Sequence, residues 1–159
     1  MGPRLTARAM RAVIERVSAA PADRLGALVA ESEQQGFGFV RRLVDEWAAG
    51  TNRFDRPGEV LFVARVGGDV VGVCGLNVDP HAGDPKIGRV RHLYVLVRQR
   101  RSGIGEQLVA DVVAAARGRF ERLHLRTTNL TATRLYERLG FRRTGEGRDR
   151  THVLDLASR

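Results

Sequence analysis

Leu93-Tyr94-Val95-Leu96-Val97-Arg98-Gln99-Arg100-Arg101-Ser102-Gly103-Ile104-Gly105 runs directly into Glu106 to Arg117, where Ile104, Leu108, Val112 and Ala116 recur one helical turn apart. This reads as strand, basic glycine loop and helix N-terminus. The first N–H groups of a helix lack intrahelical partners and the helix dipole adds positive charge, so such a loop suits a phosphate or pyrophosphate. Arg100 and Arg101 reinforce that sign. Gly103 and Gly105 leave room for close approach and permit positive φ. No Gly-Lys-Ser/Thr follows, so this is not a Walker loop, and a dinucleotide fingerprint lacks its third glycine and its acidic residue. Taken alone, the pattern also fits an ordinary strand-to-helix turn.

A second segment narrows the reading. Asn129-Leu130-Thr131-Ala132-Thr133-Arg134-Leu135-Tyr136-Glu137-Arg138-Leu139-Gly140-Phe141 is a short helical pattern, with Ala132, Leu135, Tyr136 and Leu139 on one face and Gly140 as its stop. In this order and at this separation the two segments resemble the GNAT (N-acetyltransferase) superfamily, most clearly from about Val60 to Phe141. The resemblance implies an α/β GNAT fold, with a mixed and mostly antiparallel central sheet splayed between strands 4 and 5 and flanked by about four helices. It also implies acetyl-CoA as co-substrate, with the pyrophosphate on Arg100, Arg101, Ser102, Gly103, Ile104 and Gly105. The pantetheine arm falls on the backbone of Leu93, Tyr94 and Val95, with Val95 N–H polarising the thioester carbonyl.

The resemblance makes Tyr136 the acid for the departing thiolate, since a phenol with an ordinary pKa near ~10 stays protonated at neutral pH. On the apolar face beside Leu135 and Leu139 it also suits plain packing. Asn129 either anchors the pantetheine amides or caps the short helix. Family members often carry a glutamate on the fourth strand where this chain has His92. His92 acts as base with a pKa near neutral, or Glu59 or Asp79 acts through water, or the histidine is structural. Cys74 reads as a small core residue, and direct transfer needs no acetyl-cysteine.

Elsewhere the pattern is α/β without repeats: a strand at Ala12 to Val17, a helix start at Pro21-Ala22-Asp23 and a second helix ending at Gly50. Glu59 to Val66 and Val70 to Val78 form a hairpin across Gly67-Gly68-Asp69, with Gly72 and Gly75 marking a bulge or a close approach. Asp79 to Gly88 is a long, mobile loop. Arg89 to Val97 and Arg122 to Thr127 are strands, and the tail turns at Gly145 to Gly147 into a last strand at His152 to Leu156. The 159 residues suit a single domain, 1–159, with residues 1–10 disordered.

No apolar run reaches membrane length and the N-terminus lacks a signal-peptide core, so the expected location is cytoplasmic, with no membrane partner. One cysteine and four scattered histidines give neither a disulfide framework nor zinc spacing, so no metal is expected. The net charge of +9 comes from arginines spread along the chain, Lys86 being the only lysine, without a basic face interleaved with aromatics. Specific nucleic-acid binding is therefore not expected. The implied partner is a small-molecule or peptide amine, met by the segments Gln35 to Arg56 and Asp79 to Gly88 with Asp45, Glu46, Asp55, Asp79 and Asp84. A homodimer is a common state for small enzymes. The second functional reading is a coenzyme-binding sensor without turnover.

Overall fold

The structure, a computed structural model, describes residues 11–19, 24–145 and 147–156. Residues 1–10 and the helix start placed at Pro21-Ala22-Asp23 lie outside the described residues. The elements are β1 (Val13–Arg16), α1 (Gly26–Gln34), α2 (Phe39–Ala49), β2 (Val60–Val66), β3 (Asp69–Val78), β4 (Ile87–Val95), α3 (Ile104–Ala116), β5 (Arg122–Leu125), α4 (Leu130–Arg138), β6 (Arg142–Arg143) and β7 (His152–Asp155). A 3-10 turn, Val97–Gln99, links β4 to the loop before α3. It shortens the strand expected to reach Val97, because the Val97 N–H is taken by Glu31 Oε1 at 2.9 Å.

The strands join in the order β1-β2-β3-β4-β5-β7-β6, antiparallel everywhere except β4 with β5. That parallel pair is brief. Its rungs are Ile87↔Arg122, Gly88↔Leu123 and Arg89↔His124, after which β4 continues without β5 as far as Val95. Leu125 instead pairs with His152 of β7, so the fifth strand leaves with its other neighbour. A wedge-shaped gap opens between β4 and β5, as the resemblance implies.

Gly88 pins the base of that wedge. A Cβ there would lie 2.9 Å from Leu123 and 3.1 Å from both Leu76 and Phe120, so any larger residue would have to push those side chains aside. Higher up, Val73↔Tyr94 and Gly75↔Arg91 leave His92 and Leu93 opposite Cys74 alone, a β-bulge in β4 with His92 at φ 62°. A second irregularity lies between Ala64 and Arg65, opposite the Gly72 end of β3. Gly72 and Gly75 thus sit near both bulges and also allow close approach. A Cβ on Gly72 would be 3.0 Å from Leu108 of α3, and one on Gly75 2.5 Å from Phe54.

These contacts also identify the two faces, because residues three apart on a strand point oppositely. Gly72 faces α3, which buries Ile104, Leu108, Val109, Val112, Val113 and Ala116 against the sheet. Gly75 faces Phe54, on the side covered by α1 and α2. Among the described residues no helix is long and apolar enough to cross a membrane.

Gly88→Ala is expected to lower unfolding stability by about 1–3 kcal/mol, the usual range for overpacking a filled core. Urea unfolding checks this, and an unchanged midpoint would mean that Leu123, Leu76 and Phe120 yield freely.

Candidate active site

The loop between β4 and α3 is built by two left-handed residues, Arg101 at φ 71° and Gly103 at φ 85°. Gly103 is the N-cap and makes no side-chain cap, so the first N–H groups of α3, beginning with Ile104 and Gly105, receive no capping oxygen from it. The Ser102 hydroxyl donates to the Gln99 carbonyl and closes the turn from within. Gly103 meets the positive-φ requirement, whereas Gly105 answers a packing one: a Cβ on it would lie 3.1 Å from Leu135 of α4. Arg101 is exposed. Arg100 is tied down, its Nε donating to the Val95 carbonyl at 2.8 Å and its guanidinium lying 5.2 Å from the Tyr94 ring centre.

The ladder shows which backbone groups of β4 reach the wedge. Leu96 N–H donates to Val71 O at 2.9 Å, so Leu96 and Val71 form a hydrogen-bonded pair. In antiparallel strands such pairs alternate, so Tyr94 spends its N–H and C=O on Val73, while Val95 turns both toward the gap. Leu93, two residues before Val95, shares that direction. Of the backbone groups expected to serve a pantetheine arm, those of Leu93 and Val95 face the gap and those of Tyr94 face β3. Tyr94 contributes its side chain instead: its hydroxyl donates to Glu31 Oε1 at 2.6 Å, with Gln35 Oε1 at 3.1 Å. Burial first, and then Glu31, pushes that phenol up to about 12. Glu31 thus fixes the upper end of β4 by holding both Tyr94 and Val97, a role the sequence pattern did not signal.

The bulge separates the two catalytic candidates. Tyr136 of α4 is buried on the α3 side, edge-on to Phe141 with centroids 5.7 Å apart. Burial, and next the neighbouring Cys74, raise its pKa well above the ordinary tyrosine value. Cys74 is itself fully buried and its thiol is pushed up to about 12 by burial. His92 lies on the opposite side, its ring 6.4 Å from Phe39 and 6.2 Å from Phe54. Neither of its ring nitrogens has a hydrogen-bond partner. Burial, with Arg91 and Arg42 nearby, lowers His92 to about 3 rather than the near-neutral value expected. Asn129 caps α4, Oδ1 accepting from Ala132 N–H at 3.0 Å.

The two acids named as alternative bases are both engaged. Glu59 accepts from Val78 N–H at 2.8 Å and Arg56 N–H at 3.2 Å, which tethers the loop before β2 to the end of β3. Asp79 Oδ2 lies 2.6 Å from His124 Nδ1, Oδ1 accepts from His81 N–H at 2.9 Å, and Arg89 is 3.7 Å away. Asp79, His124 and Asp149 bring possible ligand atoms within 4.8 Å of one another, although the Arg89 guanidinium shares that cluster and opposes an added cation. His124 alternates with Leu123 and Leu125 just as Arg122 and Arg126 do, so the sequence pattern carries no signal that sets it apart. Uncapped N–H groups at α3, gap-facing amides on β4 and a tethered arginine suit an extended, phosphate-bearing ligand.

His92 makes the acid stability of the fold testable. Above the ordinary histidine pKa, near ~6.5, folded and unfolded chains both leave it neutral and it adds no pH dependence. Below that, the unfolded chain takes up a proton that the folded chain refuses until about 3, so stability falls as pH drops. His92→Asn keeps a residue tolerant of positive φ and is expected to flatten this loss between about pH 6.5 and 4. Denaturant unfolding across that range checks it, and equal slopes for both proteins would contradict it.

Comparison with known proteins agrees with this geometry. A protein from Exiguobacterium sp. 255-15, described as an acetyltransferase, superposes with a TM-score of 0.80 at 32% identity, covering 92% of this chain and 94% of that one. The Salmonella typhimurium protein yncA, solved with acetyl-CoA, gives 0.70 at 17% identity over 93% of this chain and 95% of that one. The Escherichia coli protein YhbS, solved with CoA, gives 0.68 at 20% over 93% and 83%. These two show the likeness of fold. Human N-alpha-acetyltransferase 30 is 36% identical over 86 residues, 52% of this chain and 24% of that protein. The chain thus spans about a quarter of that relative's length. Residues 26–141 match the acetyltransferase (GNAT) family, and the chain belongs to that family.

Proposed function

We propose that this chain is an acetyl-CoA-dependent N-acetyltransferase that passes the acetyl group directly to a primary amine, with a peptide α-amine as the first acceptor class. The observation that carries the donor is the pairing of the Gly103 helix start with the gap-facing amides of Leu93 and Val95. The acetyl-CoA and CoA held by the Salmonella and Escherichia coli relatives support it. The peptide acceptor rests on the partial likeness to N-alpha-acetyltransferase 30. The sensor reading is not favoured, since the relatives this chain matches are described as acetyltransferases.

With the pyrophosphate at the loop, the arm runs down β4 away from Val97. The thioester at its end then lies nearer the bulge than Val95 does. Leu93 N–H is accordingly the better-placed donor to the carbonyl oxygen, and Val95 N–H serves an amide of the arm, a shift of one pleat from the sequence reading. Tyr136, held protonated beside Cys74, gives its proton to the leaving thiolate. Cys74, with its thiol pushed up to about 12, stays a thiol and supports direct transfer rather than an acetyl-cysteine relay. On the other face, Phe39, His92 and Phe54 form an aromatic wall beside the acceptor.

Release of free thiol from acetyl-CoA tests the assignment with short peptides bearing a free α-amine, their N-terminally blocked counterparts carrying lysine, and small polyamines. The free α-amine peptides are expected to release thiol fastest. Equal rates for blocked peptides would move the acceptor to lysine, and no acceptor-dependent release with tight binding would favour the sensor. Tyr136→Phe is expected to lower kcat by about 10²-fold or more while acetyl-CoA affinity stays nearly unchanged. A kcat equal to the parent across pH would remove Tyr136 as the acid.

A further inference from the structure

Arginines edge the acceptor side of the wedge, and acids do not match them equally. Gly75 faces Phe54 on the α1 and α2 side, and its partner across the ladder is Arg91, so the Arg91 side chain leaves β4 on that side. Arg89, opposite Asn77, follows at the two-residue period, and Asp79 and, across the short parallel pair, His124 share the face. It is the face opposite Tyr136. Arg42 comes from α2, one turn after Phe39, whose ring lies 6.4 Å from that of His92.

The arginines differ in what holds them. Arg89 is buried, donates to the Asp149 carbonyl at 2.6 Å and lies 3.7 Å from Asp79. Arg91 is half-buried, and its one hydrogen bond is long, 3.4 Å from Nη1 to Asn77 Oδ1, an oxygen that already accepts from Asn52 Nδ2 at 2.9 Å. Among the described residues neither Arg91 nor the exposed Arg42 forms an ion pair. The acids nearby are engaged: Asp79 by His124 and Arg89, Asp149 by Arg150 at 3.3 Å, and Glu59 by two backbone amides. The charges of Arg91 and Arg42 both reach the His92 ring and oppose its protonation.

A guanidinium drawn partly out of water without a counter-charge is unfavourable, and its planar fork matches a carboxylate. The same two charges repel an ammonium ion, so a cationic acceptor is favoured when it brings a negative charge of its own. We propose that Arg91 and Arg42 select an acceptor peptide with an acidic side chain in its first two residues, the two guanidiniums holding its carboxylate beside the reacting α-amine. This rests on the N-acetyltransferase reading above. Arg91 stands two residues before Leu93, whose N–H is placed at the thioester carbonyl. That is about 7 Å along the strand, a span that the first or second side chain of a peptide covers.

The test uses peptides that differ only in carrying Glu, Gln or Lys at the first two positions, each with a free α-amine. In the parent, kcat/KM is expected to be about 10-fold or more higher for Glu than for Gln and lowest for Lys, the Glu advantage eroding as salt is raised. Arg91→Gln brings the Glu-to-Gln ratio down to about 3 or less, and Arg91→Glu inverts the order in favour of Lys. Arg42→Gln, at an exposed helix position, lowers the ratio less and carries the test if the Arg91 variants do not fold. Acetyl-CoA affinity within a few-fold of the parent shows which variants are folded. Equal parent rates for the Glu and Gln peptides overturn the selection and leave the acetyltransferase intact. So does a ratio that keeps its parent value in the variants while both rates fall, which marks a structural role. A parent protein that acetylates none of the three peptides overturns the peptide acetyltransferase reading and this inference with it.

Discussion

The molecule depends on β4 failing to pair along its whole length. A strand inside a sheet normally spends every N–H and C=O on its neighbours, and leaving them unpaired is costly. Here β5 stays with β4 for three rungs, held by the void that Gly88 leaves for Leu123, and then departs with β7. The amides of β4 above Arg89 that turn from β3 are the consequence. They are the row of donors along which an extended arm can lie, in the manner of an added strand.

The bulge at His92 and Leu93 converts that row into a site with two sides. An extra residue opposite Cys74 rotates the strand locally and places His92 among Phe39 and Phe54 rather than continuing the alternation. Tyr136 and Cys74 stay on the α3 side, dry enough that both are held protonated. His124 and Asp79 are on the other. The two groups are thereby kept on opposite faces of the sheet. Glu31 and Arg100 brace the upper end, the first through Tyr94 and Val97 and the second through the Val95 carbonyl.

Much of this was legible in the sequence, where a local pattern was at stake. The glycine loop, the long apolar stripe of α3 and the Asn129 cap are all contacts between residues close in the chain, and each appears within a residue or so of its expected place. Strand ends were less legible, since Val97 leaves β4 for a carboxylate 66 residues away. The role of Gly105 was missed for the same reason: the atom that excludes its Cβ belongs to Leu135. His92 showed its strand but not its surroundings, and it is those surroundings, aromatic rings and two arginines, that hold it near 3. The pairing of His124 with Asp79 spans 45 residues and needed the sheet register before it could be seen.

The wedge beside β4, together with the start of α3, is where we propose that the acetyl donor is held. Backbone amide hydrogen exchange with and without acetyl-CoA addresses it residue by residue. Slowed exchange is expected at Leu93, Val95, Ile104 and Gly105, with Tyr94 little changed because its N–H is already spent on β3. Saturating acetyl-CoA that leaves those four amides unaffected, or that protects a different part of the sheet, would contradict it.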